Sequence, residues 1–463
     1  MNKIYKQIIC ISMIAGIALS ACGCGSSADR VRSEGMKKVG SLNVEAAAVY
    51  TDESEKEELI ESFSSADGLC VIKTYPTYYD VTLDYEKGEP TEVGKAYAET
   101  ILEAVPNYVN DFEPYLHESI RWAFDGREVN NEALEERVKT LIDSLPEDYK
   151  AEIISFAETI SEGEGYVEDG KLSYIEALTM QIIPDSLRPT ACSSISFDGE
   201  KTVSGKRISM RSLEWHAGSE NQVNALHTVT HMKKGNRSLT SIGFLGVFDI
   251  ITAVNDDGVM IAIHDVGSKD GMSFVYEGKK CYTFEIRYAL ENFDNAKDAG
   301  EYLVAESGDF TWCNNLLCTD VNDAFCCENA TSEVAAAGKA KSVLRAADSE
   351  LMEGLKWDTP DVLCIVNTFA TKGNQDTFTG QEFNITRFVK YNKWVSETDK
   401  FSVADVKGLM AREVVDQYEV SNVHNSGNVH TVIVDYATGK IHVSFTKGVC
   451  SEDIPRFLEV GEY

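Results

Sequence analysis

Cys192 opens a β-prone stretch, Ala191 to Phe197, directly after a helical region that runs out through Pro189-Thr190-Ala191. A cysteine attacks an amide as its thiolate, and a free pKa of about 8.5 must be lowered by nearby positive charge. Arg211, in the run Arg211-Ser212-Leu213-Glu214-Trp215, supplies such a charge from the neighbouring strand. If the chain is cut before Cys192, the new first residue carries its own base. That base is an α-amino group with a reference pKa of about 7.7–8.0, poised to take the thiol proton. The cut can be made by the same residue: Cys192 attacks the Ala191 carbonyl in an N-to-S acyl shift, and water resolves the ester. Against this stands the blander reading that a lone cysteine in a strand is a small buried apolar residue.

Other residues whose types could do chemistry carry less. His227 and His231 lie four apart, a metal-binding spacing on a helix, but they bracket the strand-like Thr228-Val229-Thr230. No glutamate follows His227, so a solvated or core role is expected for both. Cys313, Cys318, Cys326 and Cys327 cluster without the paired Cys-x-x-Cys spacing of a zinc site. No metal and no cofactor is expected. The aromatic cluster Tyr75–Tyr79 reads as packing or sheet surface, with an acyl pocket as the alternative.

Read in order, the segments around Cys192 resemble the cysteine branch of the N-terminal-nucleophile hydrolases, the group of isopenicillin N acyltransferase, choloylglycine hydrolases, penicillin V acylase and acid ceramidase. Upstream, Tyr85-Glu86-Lys87-Gly88 and Val93-Gly94-Lys95-Ala96-Tyr97 are similar to that family's opening strand and first helix. Leu145-Pro146-Glu147-Asp148-Tyr149 through Phe156-Ala157-Glu158 is similar to the helix ahead of the nucleophile. Downstream, Thr252-Ala253-Val254-Asn255 with Gly258 resembles a Thr-Gly-Met-Asn turn, and Asp320 and Glu328 fit the next hairpin. Val366-Asn367-Thr368-Phe369 resembles an Asn-His-Phe segment followed by Arg387.

The resemblance spans about residues 68–447 and implies a four-layer αββα fold of the α+β class, with a helical N-terminal pro-region. It also implies self-cleavage between Ala191 and Cys192 and a catalytic set of Cys192, Arg211, Glu214, Asn367 and Arg387. In that set Glu214 orients the α-amine, the Asn367 amide and a backbone N–H stabilise the oxyanion, and Arg387 supports the site electrostatically. Oxyanion donors of this kind are worth about 3 kcal/mol each. Two positions depart from the family: Glu214 stands where it usually has Asp, and Thr368 where it has His.

The elements that must hold these residues are legible in outline. Residues 68–87 suggest one or two strands. From Thr91 to about Ile183 the pattern is helical, with Leu134, Val138, Leu141, Ile142 and Leu145 on one face, Asn131 as a start and Pro146 as a stop. Beyond the pairing runs at Ala191–Phe197 and Lys206–Trp215, strand signals fall at Ser238–Thr252, Val259–His264, Leu316–Cys327, Val362–Ala370, His430–Asp435 and Lys440–Phe445. Helical stretches are expected at Tyr282–Val304, Ser349–Leu355 and Val403–Val414. Two groups of strands with helices between them point to sheets covered by helices.

The chain's 463 residues allow one large core with an accessory region. Its net charge of −32 argues against a nucleic-acid partner, which needs a basic face. At the start, Lys3 and Lys6 precede an apolar run from Ile8 to Leu19 that is too short to span a bilayer. Leu19-Ser20-Ala21-Cys22 then has the form of a lipobox, similar to a bacterial lipoprotein signal. The expected organisation is a signal peptide (1–21), a flexible tether (22–50), a mainly helical pro-region or small subunit (51–191) and an αββα catalytic domain (192–463). The chain would be exported and anchored by lipid at Cys22 to the outer face of the cytoplasmic membrane. Export permits disulfides; with Cys192 free, an odd number of other cysteines remains beyond the signal and anchor, so at least one further thiol stays unpaired.

The activity expected is hydrolysis of a linear amide of a small N-acyl compound through an acyl-cysteine, with the two fragments remaining associated. The alternatives are an acyltransferase using the same intermediate, or a surface lipoprotein that keeps the fold and binds rather than cuts.

Overall fold

A computed structural model of the chain describes residues 50–463, apart from 125–126, 188–189, 236, 267–273, 375–381, 416–422, 425–426 and 447–453. The expected signal and lipobox, and the tether up to residue 49, lie outside the described residues; its last residue, Tyr50, donates its hydroxyl to the Pro455 carbonyl at 2.6 Å. Among those described, no helix is long and apolar enough to cross a membrane.

The segment before Cys192 forms strands β1 (Glu61–Ser64), β2 (Cys70–Thr74) and β3 (Tyr79–Asp84). Helices α1 (Pro90–Ala104), α2 (Tyr108–Ala123), α3 (Asn131–Asp143), α4 (Glu147–Ile160), α5 (Tyr174–Met180) and α6 (Ile183–Ser186) follow. Next come β4 (Thr190–Phe197), β5 (Ile208–Trp215), β6 (His227–Lys234), β7 (Arg237–Phe244), β8 (Thr252–Asn255) and β9 (Met260–Asp265). Helices α7 (Tyr282–Asn292) and α8 (Ala296–Glu306) precede the hairpin β10 (Asn314–Thr319) and β11 (Ala324–Asn329). The chain continues through α9 (Ser332–Ala336), β12 (Val343–Arg345), β13 (Val362–Ile365), α10 (Glu382–Glu397) and α11 (Val403–Val415). It closes on β14 (Asn428–Asp435), β15 (Lys440–Phe445) and β16 (Leu458–Glu462).

These strands make two sheets. One has ten strands in the order β1-β2-β3-β6-β7-β8-β9-β10-β11-β12, the other six in the order β13-β4-β5-β14-β15-β16. Strand alternation sorts the core into layers. On β10, Leu316 and Cys318 point outward into a core under the helices that includes Leu303 of α8, whereas Leu317 points inward. The inward residues Val229, Ile242, Met260 and Leu317 meet Val432, Val434 and Val443 of the smaller sheet. On the far side of that sheet, Ile195 and Phe197 of β4 pack against Phe388, Tyr391, Val406 and Leu409 of α10 and α11. The result is the four-layer αββα arrangement expected, each fully buried aliphatic side chain contributing about 1.5–3 kcal/mol.

The segment before Cys192 is built into this arrangement. β3 pairs with β6 in parallel, so the connection between them must be a crossover. That crossover runs through all six helices α1–α6 and the β4–β5 hairpin. Helices α1 and α4 cross closely because Gly94 has no Cβ; one added there would meet the Glu152 carbonyl at 2.1 Å.

Several sequence expectations change in detail: Ser238–Thr252 is β7 and the first residue of β8 with a connection between them, and Val362–Ala370 is strand only as far as Ile365. Leu316–Cys327 is a hairpin rather than one strand, because Asp320 accepts the backbone N–H groups of Asn322 and Asp323 and so closes a turn. Tyr282–Val304 is two helices, since Asn295 caps the second by accepting from Asp298 N. The cap of α3 is Asn130, which accepts from Ala133 N, with Asn131 already inside the helix. Ser349–Leu355 is not helical: Leu351 bridges to Thr371 and Gly354 takes φ +88. Seven residues cannot repay helix nucleation once those tertiary contacts compete.

Candidate active site

β4 and β5 form an antiparallel pair in which Ser194 lies opposite Arg211, Cys192 opposite Leu213 and Ala191 opposite Glu214. Period-two alternation therefore sends Cys192 and Ser194 to one face and Ser193 to the other, where its hydroxyl meets Tyr391 of α10 at 3.0 Å. From the next strand Arg211 reaches back, and its Nη2 donates to Cys192 Sγ at 3.3 Å. The same Nη2 donates to the Ile263 carbonyl at 3.2 Å, and Nη1 contacts His430 Nε2 at 3.3 Å.

The Cys192 main chain is held from the opposite side. Its N–H donates to Asn367 Oδ1 at 2.7 Å, and its carbonyl accepts from Arg387 Nη1 at 2.9 Å. Arg387 also donates to Glu214 Oε1 at 2.9 Å, Asn367 Oδ1 at 2.7 Å and Asn384 Oδ1 at 2.6 Å. The other four sequence-predicted residues thus gather around Cys192, Glu214 through Arg387, and Cys192, Arg211 and Arg387 are wholly buried.

Asn367 sits in the chain leaving β13, where Asn315 Nδ2 donates to the carbonyls on both sides of it, Val366 O and Thr368 O, at 2.9 Å each. Directly opposite Asn315 on the hairpin is Glu328. Glu328 accepts from Ala370 N at 2.8 Å, Thr371 N at 3.1 Å and Asn374 Nδ2 at 3.0 Å, and is paired with Arg345. The hairpin is thus a platform for the Asn367 segment.

The Asn367 amide itself has one possible orientation. Its oxygen faces two donors, and its Nδ2 donates to the Asp265 carbonyl at 2.7 Å. In the intact chain, then, Asn367 presents an acceptor to the Cys192 N–H, and the N–H expected in an oxyanion pocket is engaged by Asp265.

Burial pushes the Cys192 thiol up, while Arg211 and, more weakly, Arg387 pull it back; Glu214 adds to the rise. Burial also lowers Arg211. His264 and His430 are driven well below the ordinary histidine value, first by burial and then by the Arg211 charge. With its amide intact, Cys192 has no α-amine, so this is the site before any cut. In the intact chain burial outweighs the two guanidinium groups, so the thiol stays above its ordinary value; the arrangement offsets that rise in part, fixes the nitrogen of the peptide bond preceding Cys192 and polarises the carbonyl that follows it.

Several groups were not found from sequence. Asn384 lies three residues before Arg387 on α10, an i,i+3 spacing that would have flagged it once Arg387 was chosen. His264 and Ser194 share a 2.7 Å hydrogen bond, and nothing in spacing pairs them. His430 meets Arg211 only through sheet packing. His227 and His231 do lie on a strand, about 13 Å apart by strand rise; His227 contacts the Thr446 carbonyl and His231 contacts Thr240 and Asp80. The eight cysteines among the described residues are all buried.

No family model and no curated protein matches the chain. Among solved structures, a Caenorhabditis elegans N-acylethanolamine-hydrolyzing acid amidase ortholog is similar at 14% identity and a TM-score of 0.37, over 53% of this chain and 93% of that one. A conjugated bile acid hydrolase variant from Clostridium perfringens gives 10% and 0.32, over 58% and 92%. Penicillin V acylase from Agrobacterium tumefaciens gives 11% and 0.31, over 55% and 83%.

Proposed function

We propose that the protein is an amide C–N hydrolase that cuts its own Ala191–Cys192 bond and then uses Cys192 as an N-terminal nucleophile. The observation that carries this reading is the set of contacts on one residue: a guanidinium on the sulfur, an amide oxygen on the nitrogen and a second guanidinium on the carbonyl. In maturation the Cys192 sulfur adds to the Ala191 carbonyl carbon. The C–N bond breaks with a proton delivered to nitrogen, and water hydrolyses the resulting thioester to a carboxylate and a free thiol. The liberated α-amine, beside Asn367 and close to the Glu214–Arg387 pair, then serves as base for an incoming N-acyl substrate. The substrate follows the same course: its amine leaves, the acyl group rests on sulfur and water removes it.

Hydrolysis is preferred to acyl transfer because acyl-coenzyme A donors are not expected outside the membrane. Candidate substrates are small N-acyl compounds such as conjugated bile acids, penicillin-type amides or N-acyl amino acids. Export and anchoring through a lipidated Cys22 belong to the same reading. So does retention of the upstream fragment, supported by β1–β3 lying in the ten-stranded sheet.

Denaturing gel electrophoresis with N-terminal sequencing tests the proposal. Two fragments are expected, one ending at Ala191 and one beginning Cys192-Ser193-Ser194, and Cys192→Ala leaves a single chain. An intact wild-type chain indistinguishable from Cys192→Ala sinks the self-processing. Failure of an amide-based thiol trap to label Cys192 in cleaved protein sinks the turnover.

A further inference from the structure

Arg211 is wholly buried, and its partners are unusual for a buried cation. They are the Cys192 sulfur, the Ile263 carbonyl and the His430 imidazole; its Nε has no partner, and no carboxylate lies within ion-pairing distance among the described residues. The charged and titratable groups that face it are Cys192 on β4, Glu214 on its own strand, His264 on β9, Tyr282 on α7 and His430 on β14. Arg387 faces the cysteine from α10. Both histidines have one tautomer open to them. His264 stands between the Ser194 hydroxyl on Nε2 and the Asn315 carbonyl on Nδ1, so Nδ1 carries the proton. His430 Nε2 faces an Arg N–H, so it must accept, and the proton sits on Nδ1, which has no partner. Behind His430 lie the rings of His227, Phe244 and Phe445, an apolar wall that does not favour an imidazolium.

We infer that His430 is a positioning residue: as a neutral acceptor it holds the Arg211 guanidinium against Cys192 without neutralising it. A carboxylate in the same place would hold Arg211 equally well but cancel the charge that the thiolate needs. A neutral imidazole fixes the fork and leaves the charge free to act on sulfur. His264, fixed by its own two partners, adds a second neutral wall beside the same cation.

The inference rests on the proposed role of Arg211 at Cys192, and the test separates the two. The thiolate absorbance of Cys192 near 240 nm is followed against pH as the difference between each protein and its Cys192→Ser counterpart, in intact or cleaved chains alike. Arg211→Gln should raise the midpoint by more than about one pH unit. His430→Phe, which keeps a ring among Phe244 and Phe445 but removes the acceptor, should raise it by about one unit. His430→Gln restores an acceptor and should return the midpoint most of the way. If His430→Phe does not fold, His430→Met replaces it, with the same expectation. A midpoint moved by Arg211→Gln but not by the apolar His430 variants overturns the inference and leaves the Arg211 role standing. A midpoint unmoved by Arg211→Gln removes both. Apolar variants that move it without rescue by His430→Gln also overturn the inference, since loss of packing then explains the shift.

Discussion

Two buried arginines invite comparison. Arg287, on α7, is sandwiched by the helical layer: it pairs with Glu152 of α4 and with Glu291 at 3.0 Å, and its guanidinium lies over the rings of Tyr149 and Tyr85 at 4.4 and 5.5 Å. Tyr85 and Tyr149 in turn donate to Glu152 and Glu291 at 2.7 and 2.9 Å. Burial alone would lower Arg287, but Glu152, Tyr85 and Glu291 together hold it well above its ordinary value. Arg211 is as deeply buried and, among the described residues, has no carboxylate on it. Burial brings it below its ordinary value, with Cys192 as the first counterweight. One cation is fully neutralised and ties α4, which precedes Cys192, to α7, which follows it. The other is left uncompensated beside a sulfur. The contrast separates a charge used to hold the molecule together from a charge available for chemistry.

The comparison can be broken most forcefully at Arg287. Arg287→Met should cost about 3–5 kcal/mol, because Glu152 is left charged and buried, and should loosen the hold on the upstream segment. Urea unfolding measures the first and gel filtration of cleaved protein the second, while the Cys192 thiolate midpoint should stay where it was. Arg211→Gln should do the reverse: thermal stability unchanged or raised, since a buried unpaired charge is removed, with turnover of an N-acyl substrate lost. Equal destabilisation by the two variants would erase the distinction.

A third test concerns pH. Asp185 of α6 accepts from Tyr282 N at 2.6 Å and Thr283 Oγ1 at 2.5 Å, capping α7 in place of Cys281, which supplies no side-chain cap. Burial raises Asp185 to about 7, against those hydrogen bonds. Its folded value lies above its unfolded one, so its contribution is greatest when it is protonated and declines as pH rises from about 4 through 7. Asp185→Asn should flatten that decline, seen as a wild-type minus variant difference in denaturant midpoint across the range. The smallest effect is expected at Glu214. Glu214→Asp shortens the reach to Arg387 Nη1, now 2.9 Å, and should cost about 1 kcal/mol of stability. A more stable Glu214→Asp protein would mean that the longer side chain is not fitted to Arg387.

Much of the layer plan could be read in the sequence because it depends on local pattern. The alternation at Ala191–Phe197 and Lys440–Phe445 and the apolar stripe of α3 report their own elements, whatever they pack against. Where tertiary partners intervened the reading slipped: Leu316–Cys327 hides a turn whose signal is the Asp320 carboxylate, and Ser349–Leu355 gives up helix for contacts with residues near Thr371. Site residues were reached through ordered motifs rather than pattern, so partners outside any motif, such as His264 and His430, went unseen.

What the sequence determined by itself is a nucleophile candidate and its company: Cys192 after a helical run, Arg211 and Glu214 on the strand that pairs with it, and Asn367 and Arg387 in order downstream. These follow from short motifs whose order resembles that of a known family, and that order survives without coordinates. What only the tertiary structure decided is the state of each group. It turned the Asn367 oxygen toward Cys192 N, paired Glu214 with Arg387, put the Cys192 sulfur rather than any described carboxylate on Arg211 and wove β1–β3 into the ten-stranded sheet. The physical reason is that charge, tautomer and hydrogen-bond direction depend on what is buried against a group, and those neighbours come from distant parts of the chain.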